Sequence, residues 1–520
     1  MADITKGVRA FAIGTAISRV LGLVRESVFA YLFGAGRSTD AFNAAFRIPN
    51  LLRDLFAETA LSAAFVPVLT EQKQKSKDAE NLLASNIFNT LLLVVGVISV
   101  LGIFLSPYLA GIIAFGFGNI PSKLTLTANL TSIIFPFLLF VALAAWAMSF
   151  LNTEGEFFIP SLAPAFFNIF SIATPIVLYV YFINRGADPI YGMAIGVLVG
   201  GLMQLLIQLP RLFKKGFRYK FYLNFKDAEF RKMMVLFIPV AIGLAGSRIN
   251  VAVSTFLVSL LEERSMTWLN YAFRIMHLPL GLFGIAVGTV ALPTLSKFAV
   301  EKNLTEIRKT LFDSLKLVFF LTVPTSIIIA FLSHPITSII YEHGRFTPFD
   351  TNATAQALIL YIIGIPFIAG LRNIAAVFYA YKDAKSPMYA SFASIVLNVI
   401  LNIILMPVIG FLAFPLTTTI SAFINILILF WVLPNKIGTF DIKPMIKYFV
   451  ILAISAVIGG GLGMILNNFI AAQFGVSLLL NVLNIIVCGI VSLTIFYFAC
   501  LIVGLGEVKG YFMRLVRGKG

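Results

Sequence analysis

The sequence predicts an all-α polytopic membrane protein with fourteen transmembrane helices. Of its 520 residues, 59% are hydrophobic and only 12% are charged, whereas soluble proteins carry about 25% charged residues. Apolar stretches recur along the whole chain, and each is long enough to cross a hydrocarbon core of about 30 Å as a helix. The stretches are continuous rather than alternating in polarity, which argues against a transmembrane β-barrel.

The fourteen predicted spans follow one another with short connections, of which the shortest is the Pro- and Gly-punctuated segment 407–410. They cover residues 8–33, 40–69, 82–114, 124–151, 159–183, 189–212, 233–261, 266–297, 310–341, 353–381, 387–408, 411–433, 445–470 and 478–505.

Lysine and arginine are distributed unevenly between the two sides of these spans. With the N-terminus inside, 26 of them fall on the cytoplasmic side, five in outer loops and eight within spans. This bias predicts that both termini are cytoplasmic. Basic loops such as 211–221 are expected to fix this topology and to contact anionic lipid headgroups, rather than nucleic acid. Nothing in the sequence requires an oligomer.

The chain also contains an internal repeat, with four pairs of matching segments at nearly one offset, 226 to 230 residues. The pairs are 14-GTAISR-19 with 243-GLAGSR-248, 46-FRIPNLLRDLF-56 with 273-FRIMHLPLGLF-283, 65-FVPVL-69 with 291-ALPTL-295, and Pro136-Phe137 and Asn168 with Pro366-Phe367 and Asn398. Six spans separate the copies, so both have the same orientation in the membrane, related by an axis along the membrane normal.

This parallel repeat predicts two six-helix lobes related by a pseudo-two-fold axis around a central cationic cavity. Residues 1–222 form the N-terminal lobe, 223–436 the C-terminal lobe, and 437–520 contain two appended helices and a basic tail. Two bundles around a midplane site are typical of transporters that work by alternating access.

Eight cations lie inside the predicted spans, where an unpaired charge costs at least about 2.5 kcal/mol. They are Arg19, Arg25, Arg47, Arg53, Arg248, Arg274, Lys316 and Arg372. The in-span acids are only Glu26, Asp54 and Glu58, with Asp40 at a span boundary. These acids would neutralise some arginines as a structural clasp, but a net positive cavity remains. Guanidinium groups are suited to bidentate contact with phosphate or carboxylate, so the cavity predicts an anionic ligand.

Metal and cofactor sites have little support in the sequence. Cys488 and Cys500 are read as core or lipid-facing residues, and the three histidines are scattered. There is no phosphate-binding GxxxxGK[ST] motif for ATP. Asn398 and Asn402 share a helix face, and with Thr417 or Thr418 they would either ligate a cation or hydrogen-bond between helices; the second is favoured.

Two segments carry a family resemblance that covers essentially the whole chain. The run 39-TDAFNAAFRIPNLLRDLFAETALSAAFVPVL-69, preceded by 18-SRVLGLVRE-26, resembles the signature of the MurJ/MviN family of lipid II flippases. The later 271-YAFRIMHLPLGLFGIAVGTVALPTLS-296 resembles the matching family segment. This family belongs to the multidrug/oligosaccharidyl-lipid/polysaccharide exporter superfamily.

The resemblance implies that the protein moves lipid II across a bacterial cytoplasmic membrane, with the prenyl tail in a groove of the last two helices. By motif, it implies that Arg19, Arg25, Arg53 and Arg274 line the cavity and bind the headgroup. Asp40 and Glu58 also match family acids. Glu26, Asp54, Arg47 and Arg248 are expected to supply supporting charge.

Energy coupling is left open between the membrane potential and sodium. Some family members bind sodium with acidic ligands in the second lobe, where this chain offers Asn398, Asn402 and Thr418 instead. Within the first lobe Arg53 is distinctive, because the repeat aligns Arg47 with Arg274 but Arg53 with Leu280.

Other functions fit the sequence less well. A drug/cation antiporter of the same superfamily would need carboxylates in the cavity and fewer arginines. A flippase for another prenyl-linked oligosaccharide is compatible with the arginines. An enzyme that polymerises or ligates cell-wall glycans would need an acid or base near a large outer loop, and the outer loops here are all short.

Overall fold

The computed structural model describes residues 2–56, 59–281, 285–474, 478–505, 508 and 510. Side chains are described for residues 11–53, 61–242, 248–281, 291–473, 479–505, 508 and 510. Regular secondary structure in these ranges is helical throughout, as the composition predicts.

Residue contacts divide the chain into two compact units, Met1–Thr267 with Gly344–Phe346, and Trp268–His343 with Thr347–Gly520. The helices of the first unit are α1 (Ala2–Phe33), α2 (Arg37–Phe56), α3 (Thr59–Lys75), α4 (Lys77–Phe104), α5 (Ser106–Ile113), α6 (Lys123–Ile134), α7 (Phe137–Thr153), α8 (Phe158–Asn184), α9 (Tyr191–Leu206), α10 (Leu209–Lys214) and α11 (Ala228–Ser259), with a 3-10 helix at Phe115–Asn119.

The next helix, α12 (Ser265–Pro279), begins in the first unit and continues in the second. The remaining helices are α13 (Ile285–Val300), α14 (Leu304–Phe331), α15 (Ser333–Tyr341), α16 (Pro348–Ile362), α17 (Ile365–Ala380), α18 (Lys385–Ile409), α19 (Ala413–Val432), α20 (Pro434–Ile437), α21 (Lys443–Phe474) and α22 (Leu478–Ile502), with a 3-10 helix at Gly410–Leu412.

Nine continuous segments of the described chain are long and apolar enough to cross a membrane. They account for ten predicted spans, because Lys385–Ile437 contains both the eleventh and the twelfth. The other four predicted spans, the first, second, seventh and eighth, are helical over their described residues. These four contain six of the eight in-span cations, which lower the apolar character of their helices.

Helix interruptions fall at matching places in the two copies of the sequence repeat. The third span is interrupted after Phe104 and the ninth after Phe331. The helices before the two breaks end 227 positions apart, and the helices after them begin 227 positions apart. The fourth and tenth spans are likewise interrupted just before Phe137 and Ile365, beside the repeated Pro136 and Pro366.

The compact units do not coincide with the three segments predicted from the repeat. Helix α11 follows the predicted boundary at 222/223, yet it packs against α2, α3 and α5 of the first unit. The repeat is a similarity between two parts of the sequence, whereas the compact units are defined by which helices pack together. The division at 222 and 436 therefore stays a prediction.

The connection between α10 and α11 is an extended segment held along α4 by polar side chains. On α4, Asn81, Ser85, Asn86 and Asn89 are all buried. Asn81 Nδ2 donates to Gly216 O (3.4 Å) and Asn81 Oδ1 accepts from Arg218 N (3.2 Å). Ser85 Oγ accepts from Lys220 N at 3.0 Å. The side chains of one helix thus replace a neighbouring strand as hydrogen-bond partners.

Side chains of α4 also bind residues 219–224 of this segment. Asn86 Oδ1 accepts from Asn224 N (2.9 Å), and Asn86 Nδ2 donates to Asn224 O (3.0 Å). Asn89 Nδ2 donates to Tyr222 O at 2.9 Å, and Asn89 Oδ1 accepts from the Tyr219 hydroxyl at 2.9 Å. These bonds satisfy backbone groups that would otherwise need water.

A buried ion pair ties α2 to α6 and to the start of α12. Asp40 Oδ2 lies 2.9 Å from Lys123 Nζ, and both side chains are 1% exposed. Asp40 also accepts hydrogen bonds from the backbone nitrogens of Arg264 (2.7 Å) and Thr267 (3.0 Å) and from Thr267 Oγ1 (2.7 Å). Asp40 therefore binds the amide groups at the N-terminal end of α12, where a carboxylate is favoured.

The predicted spans leave Lys123 in the outer loop between the third and fourth spans, but the structure buries its side chain. It is the first residue of α6, and its ammonium lies 4.1 Å from the ring centroid of Phe117 as well as beside Asp40. The sequence shows only an isolated lysine before an apolar run. Its burial depends on the partner that the fold brings to it.

Two carboxylates in loops at helix ends have lowered pKa values. Burial alone would raise the pKa of Glu154, but hydrogen bonds from Lys77 and Lys73 outweigh this effect and hold it below its usual value. The pKa of Asp383 is lowered most by a hydrogen bond from Lys436, and then by bonds from Ser386. These contacts fix the α7–α8 and α17–α18 connections.

Replacing Lys123 by Met will strand the Asp40 carboxylate and lower stability by about 3–5 kcal/mol, because removing one member of a buried pair leaves a charge without compensation. The measurement is the apparent melting temperature of the detergent-solubilised protein. The control is Lys297→Met, which removes the exposed, 4.0 Å pair with Glu301 and will cost about 1 kcal/mol or less. Equal melting temperatures for the two variants would contradict this prediction.

Candidate substrate-binding site

Arg25 is the best defined of the predicted site arginines. Its guanidinium donates to Glu26 Oε1 from both Nη2 (2.7 Å) and Nε (3.2 Å). The two side chains are only 11% and 7% exposed. Glu26 thus compensates the charge of Arg25 through a largely buried ion pair.

The same guanidinium closes a ring of aromatic side chains. It lies 5.8 Å from the ring centroid of Phe29 and 5.2 Å from that of Phe167. Between these two, successive ring contacts of 5.5–6.1 Å run through Phe42, Phe46 and Phe137. Cation–π attraction at both ends and the ion pair to Glu26 together fix the orientation of Arg25.

Packing of α1 on α8 sets the position of this arginine along the membrane. Asn168 Nδ2 donates to Ser18 O at 3.0 Å, and Gly22 lies opposite the Asn168 amide. Gly14 leaves no room for a Cβ, which would overlap Ser161. Substituting Gly14 would therefore separate the helices that carry Arg25 and its aromatic ring.

The other predicted arginines of the first unit are less enclosed. Arg19 is exposed on α1, while Arg47 and Arg53 on α2 and Arg248 on α11 are half-buried. Asp54 belongs to α2, but its side chain is outside the described set, and Glu58 lies outside the described residues altogether. Helix α2 continues through Pro49 without interruption.

Arg274 belongs to the second unit, where it is half-buried on α12. The remaining in-span cations of that unit are Arg372, which is exposed, and Lys316, whose ammonium lies 5.8 Å from the ring centroid of Tyr448. Lys316 is thus placed against α21, and α17 carries Arg372.

Asp40 is drawn into the fold rather than left in a cavity. All of its described contacts are to Lys123, Arg264 and Thr267. Sequence reasoning assigned supporting charge to Asp40 but missed Lys123 and Thr267. The offset of 227 residues between Asp40 and Thr267 is also the offset of the repeat, and it was the only sequence signal relating them.

The asparagine cluster of the second unit forms a hydrogen-bonded triangle. Asn402 Nδ2 donates to Asn398 Oδ1 (3.1 Å), Asn398 Nδ2 donates to Thr417 Oγ1 (3.2 Å), and Thr417 Oγ1 donates to Asn402 Oδ1 (2.7 Å). Thr418 instead donates to Phe414 O of its own helix at 2.8 Å. The arrangement joins α18 to α19, which is the geometry of the interhelical alternative.

Among the residues that the structure describes, no three His, Cys, Asp or Glu side chains are grouped as a metal site. Guanidinium groups held in fixed orientations are suited to bind phosphate or carboxylate oxygens.

Solved structures similar to this chain are transporters. The structure of the lipid II flippase MurJ in an inward closed conformation matches with a TM-score of 0.74 and 31% identity, covering 94% of this chain and 99% of that one. An inward-facing multidrug resistance MATE family transporter of the MOP superfamily matches with a TM-score of 0.63. At 12% identity, over 83% of this chain and 98% of that one, it shows a shared fold alone.

Sequence comparisons point to one family. The lipid II flippase MurJ of Burkholderia cenocepacia is 33% identical over 454 residues, 86% of this chain and 87% of that protein. The probable lipid II flippase MurJ of Vibrio cholerae is 35% identical over 429 residues, 80% of each chain. The family model for lipid II flippase MurJ matches residues 29–484. This chain therefore belongs to the lipid II flippase MurJ family.

Proposed function

We propose that this protein is a transporter that moves lipid II from the cytoplasmic to the outer leaflet of a bacterial inner membrane. The observation that carries the proposal is the match to the MurJ family over residues 29–484. The structural match supports it, because it extends over 94% of the chain. The charge bias of the loops supports cytoplasmic termini and contact of the basic loops with anionic lipid headgroups.

In this proposal the pyrophosphate and peptide carboxylates of the substrate bind to cavity arginines, namely Arg19, Arg25, Arg53 and Arg274. Arg25 supports this role best. Glu26 and the rings of Phe29 and Phe167 hold its guanidinium in one orientation before substrate binds. An oriented guanidinium loses less conformational entropy when it binds phosphate. Arg47, Arg248, Asp54 and Glu58 would adjust the charge around them.

Alternating access would come from rocking of two six-helix bundles, built from spans 1–6 and 7–12. The sequence repeat and the matching helix interruptions after Phe104 and Phe331 support two bundles of common origin. The apolar pocket between α21 and α22, about 220 Å³ and lined by residues such as Ile470, Leu480 and Val487, supports a role for these helices in holding the prenyl tail.

The membrane potential is the energy source that we propose. An inside-negative potential favours outward movement of a net anion by about 2.3 kcal/mol per charge per 100 mV. The hydrogen-bonded triangle of Asn398, Asn402 and Thr417 supports a structural role for this cluster, since ligation of sodium would have to displace those bonds.

Replacing Arg53 or Arg25 by Ala will reduce lipid II translocation about ten- to hundredfold, the effect of losing a hydrogen bond to a charged group worth about 1.5–3 kcal/mol. The measurement is headgroup exposure at the outer leaflet of proteoliposomes, normalised to inserted protein. Arg185→Ala is the matched control, because Arg185 is exposed in an outer loop and stacks on Tyr181. Translocation by Arg53→Ala at the wild-type rate would rule out this site.

Substrate identity is tested in the same proteoliposomes with a competing lipid. A prenyl-pyrophosphate carrying a different sugar is added at the same concentration as labelled lipid II. We expect little competition, because the peptide carboxylates of lipid II add contacts to arginine that the other headgroup lacks. Full competition at equal concentration would instead favour a flippase for prenyl-linked oligosaccharides in general.

The effects of membrane potential and of sodium on translocation can be separated by varying the two independently. Collapsing an inside-negative potential with valinomycin at equal potassium will slow translocation, while replacing sodium by choline at constant potential will leave it unchanged. Asn402→Ala serves as the second variant. A rate that depends on sodium in the wild type but not in Asn402→Ala would contradict potential coupling and would assign the cluster to sodium.

A further inference from the structure

The extended segment 217–225 exposes an apolar face although it belongs to no helix. Phe221, Leu223 and Phe225 alternate along the segment and are all exposed, with Phe221 at 85%, whereas the Tyr219 hydroxyl bonds Asn89 of α4. The intervening Tyr222 and Asn224 are half-buried, and their side chains bond each other. This alternation is that of a β-strand with one buried and one outward face.

The backbone of this segment is bound along one edge by protein groups. Its groups at Arg218, Lys220, Tyr222 and Asn224 bind the side chains of α4. Non-helical backbone is tolerated at membrane depth only where protein groups satisfy it. The asparagine-rich stripe of α4, residues 81–89, provides this condition.

Charge and neighbouring surface indicate what covers the outward face. Residues 211–226 contain six cations and no acid. Some of these are already paired, Arg211 with Glu156 and Lys220 with Asp78. Apolar side chains continue the exposed surface on both sides, at Phe213 of α10 and Val235 of α11. Aromatic rings beside cations are typical of the interface between lipid tails and anionic headgroups.

We propose that residues 217–225 form an interfacial anchor that inserts Phe221, Leu223 and Phe225 into the cytoplasmic leaflet. Lys214, Arg218 and Lys226 contact anionic lipid headgroups above them. The anchor holds the first unit at a fixed depth through α4, and it uses none of the predicted substrate-binding arginines. The partner is the lipid surface itself, and this inference does not depend on which lipid the protein transports.

Site-directed spin labelling tests the proposal in the full-length protein. A nitroxide is attached to Phe221→Cys or Leu223→Cys in a Cys488→Ser/Cys500→Ser background, in vesicles containing phosphatidylglycerol. We expect greater collision with oxygen than with a water-soluble nickel chelate at both positions. Val97→Cys, on the exposed face of α4, is the lipid reference, and Glu301→Cys is the aqueous reference.

Each alternative gives a distinct result. Nickel accessibility like that of the aqueous reference would overturn the proposal, because the face would then lie in water. Protection from both reagents would also overturn it, because a protein, including a second copy of this chain, would then cover the face. Nickel accessibility that is equal in phosphatidylglycerol and phosphatidylcholine vesicles would overturn the role of the cations.

A second variant tests the clamp that presents this face. Asn86→Ala in the labelled Phe221→Cys protein removes both bonds to Asn224. We expect increased nitroxide mobility and increased nickel accessibility, with translocation of lipid II retained because the substrate-binding arginines are untouched. An unchanged spectrum would overturn the assignment of the α4 side chains as the element that holds the anchor.

Discussion

Charge inside an apolar fold must be compensated, and the first unit is built around this constraint. Asp40 and Lys123 are almost completely buried, so each requires the other. Around Asp40 the backbone of Arg264 and Thr267 adds further hydrogen bonds, and these join α2, α6 and the start of α12. Arg25 shows the same requirement met differently, by one carboxylate and two aromatic faces.

The two solutions have different consequences. The carboxylate of Asp40 makes all its described contacts within the protein, so its charge contributes to the joining of helices. The guanidinium of Arg25 is planar and carries five donor hydrogens, of which the contacts to Glu26 use two nitrogens. These contacts hold the Arg25 guanidinium in one orientation, whereas the ammonium of Lys123 is enclosed between Asp40 and the ring of Phe117.

Much of the fold follows from composition and spacing. Apolar length predicted the spans, and the repeated Pro136 and Pro366 mark real helix interruptions. The interruptions after Phe104 and Phe331 were not predicted, although Pro107 and Pro335 lie in the first turn of the helices that follow them.

The site was harder to predict, because partners chosen by tertiary packing leave no local pattern. The sequence shows Glu26 next to Arg25, but the phenylalanines that surround Arg25 come from four different helices. Lys123 was assigned to a loop for the same reason. Asn398 and Asn402 were recognised from their shared helix face, and their closure through Thr417 required the fold.

The stripe of amides on α4 has a consequence for biosynthesis. Its partners lie 130–138 residues further along the chain. At about 5–20 residues per second, the ribosome needs on the order of ten seconds to make them after α4 has emerged. During this interval the side chains of Asn81, Asn86 and Asn89 have no strand to bind, and their polar groups favour a shallow position near water. The hydrogen bonds of this stripe therefore form only after the sixth span has been synthesised, so this part of the first unit is completed late.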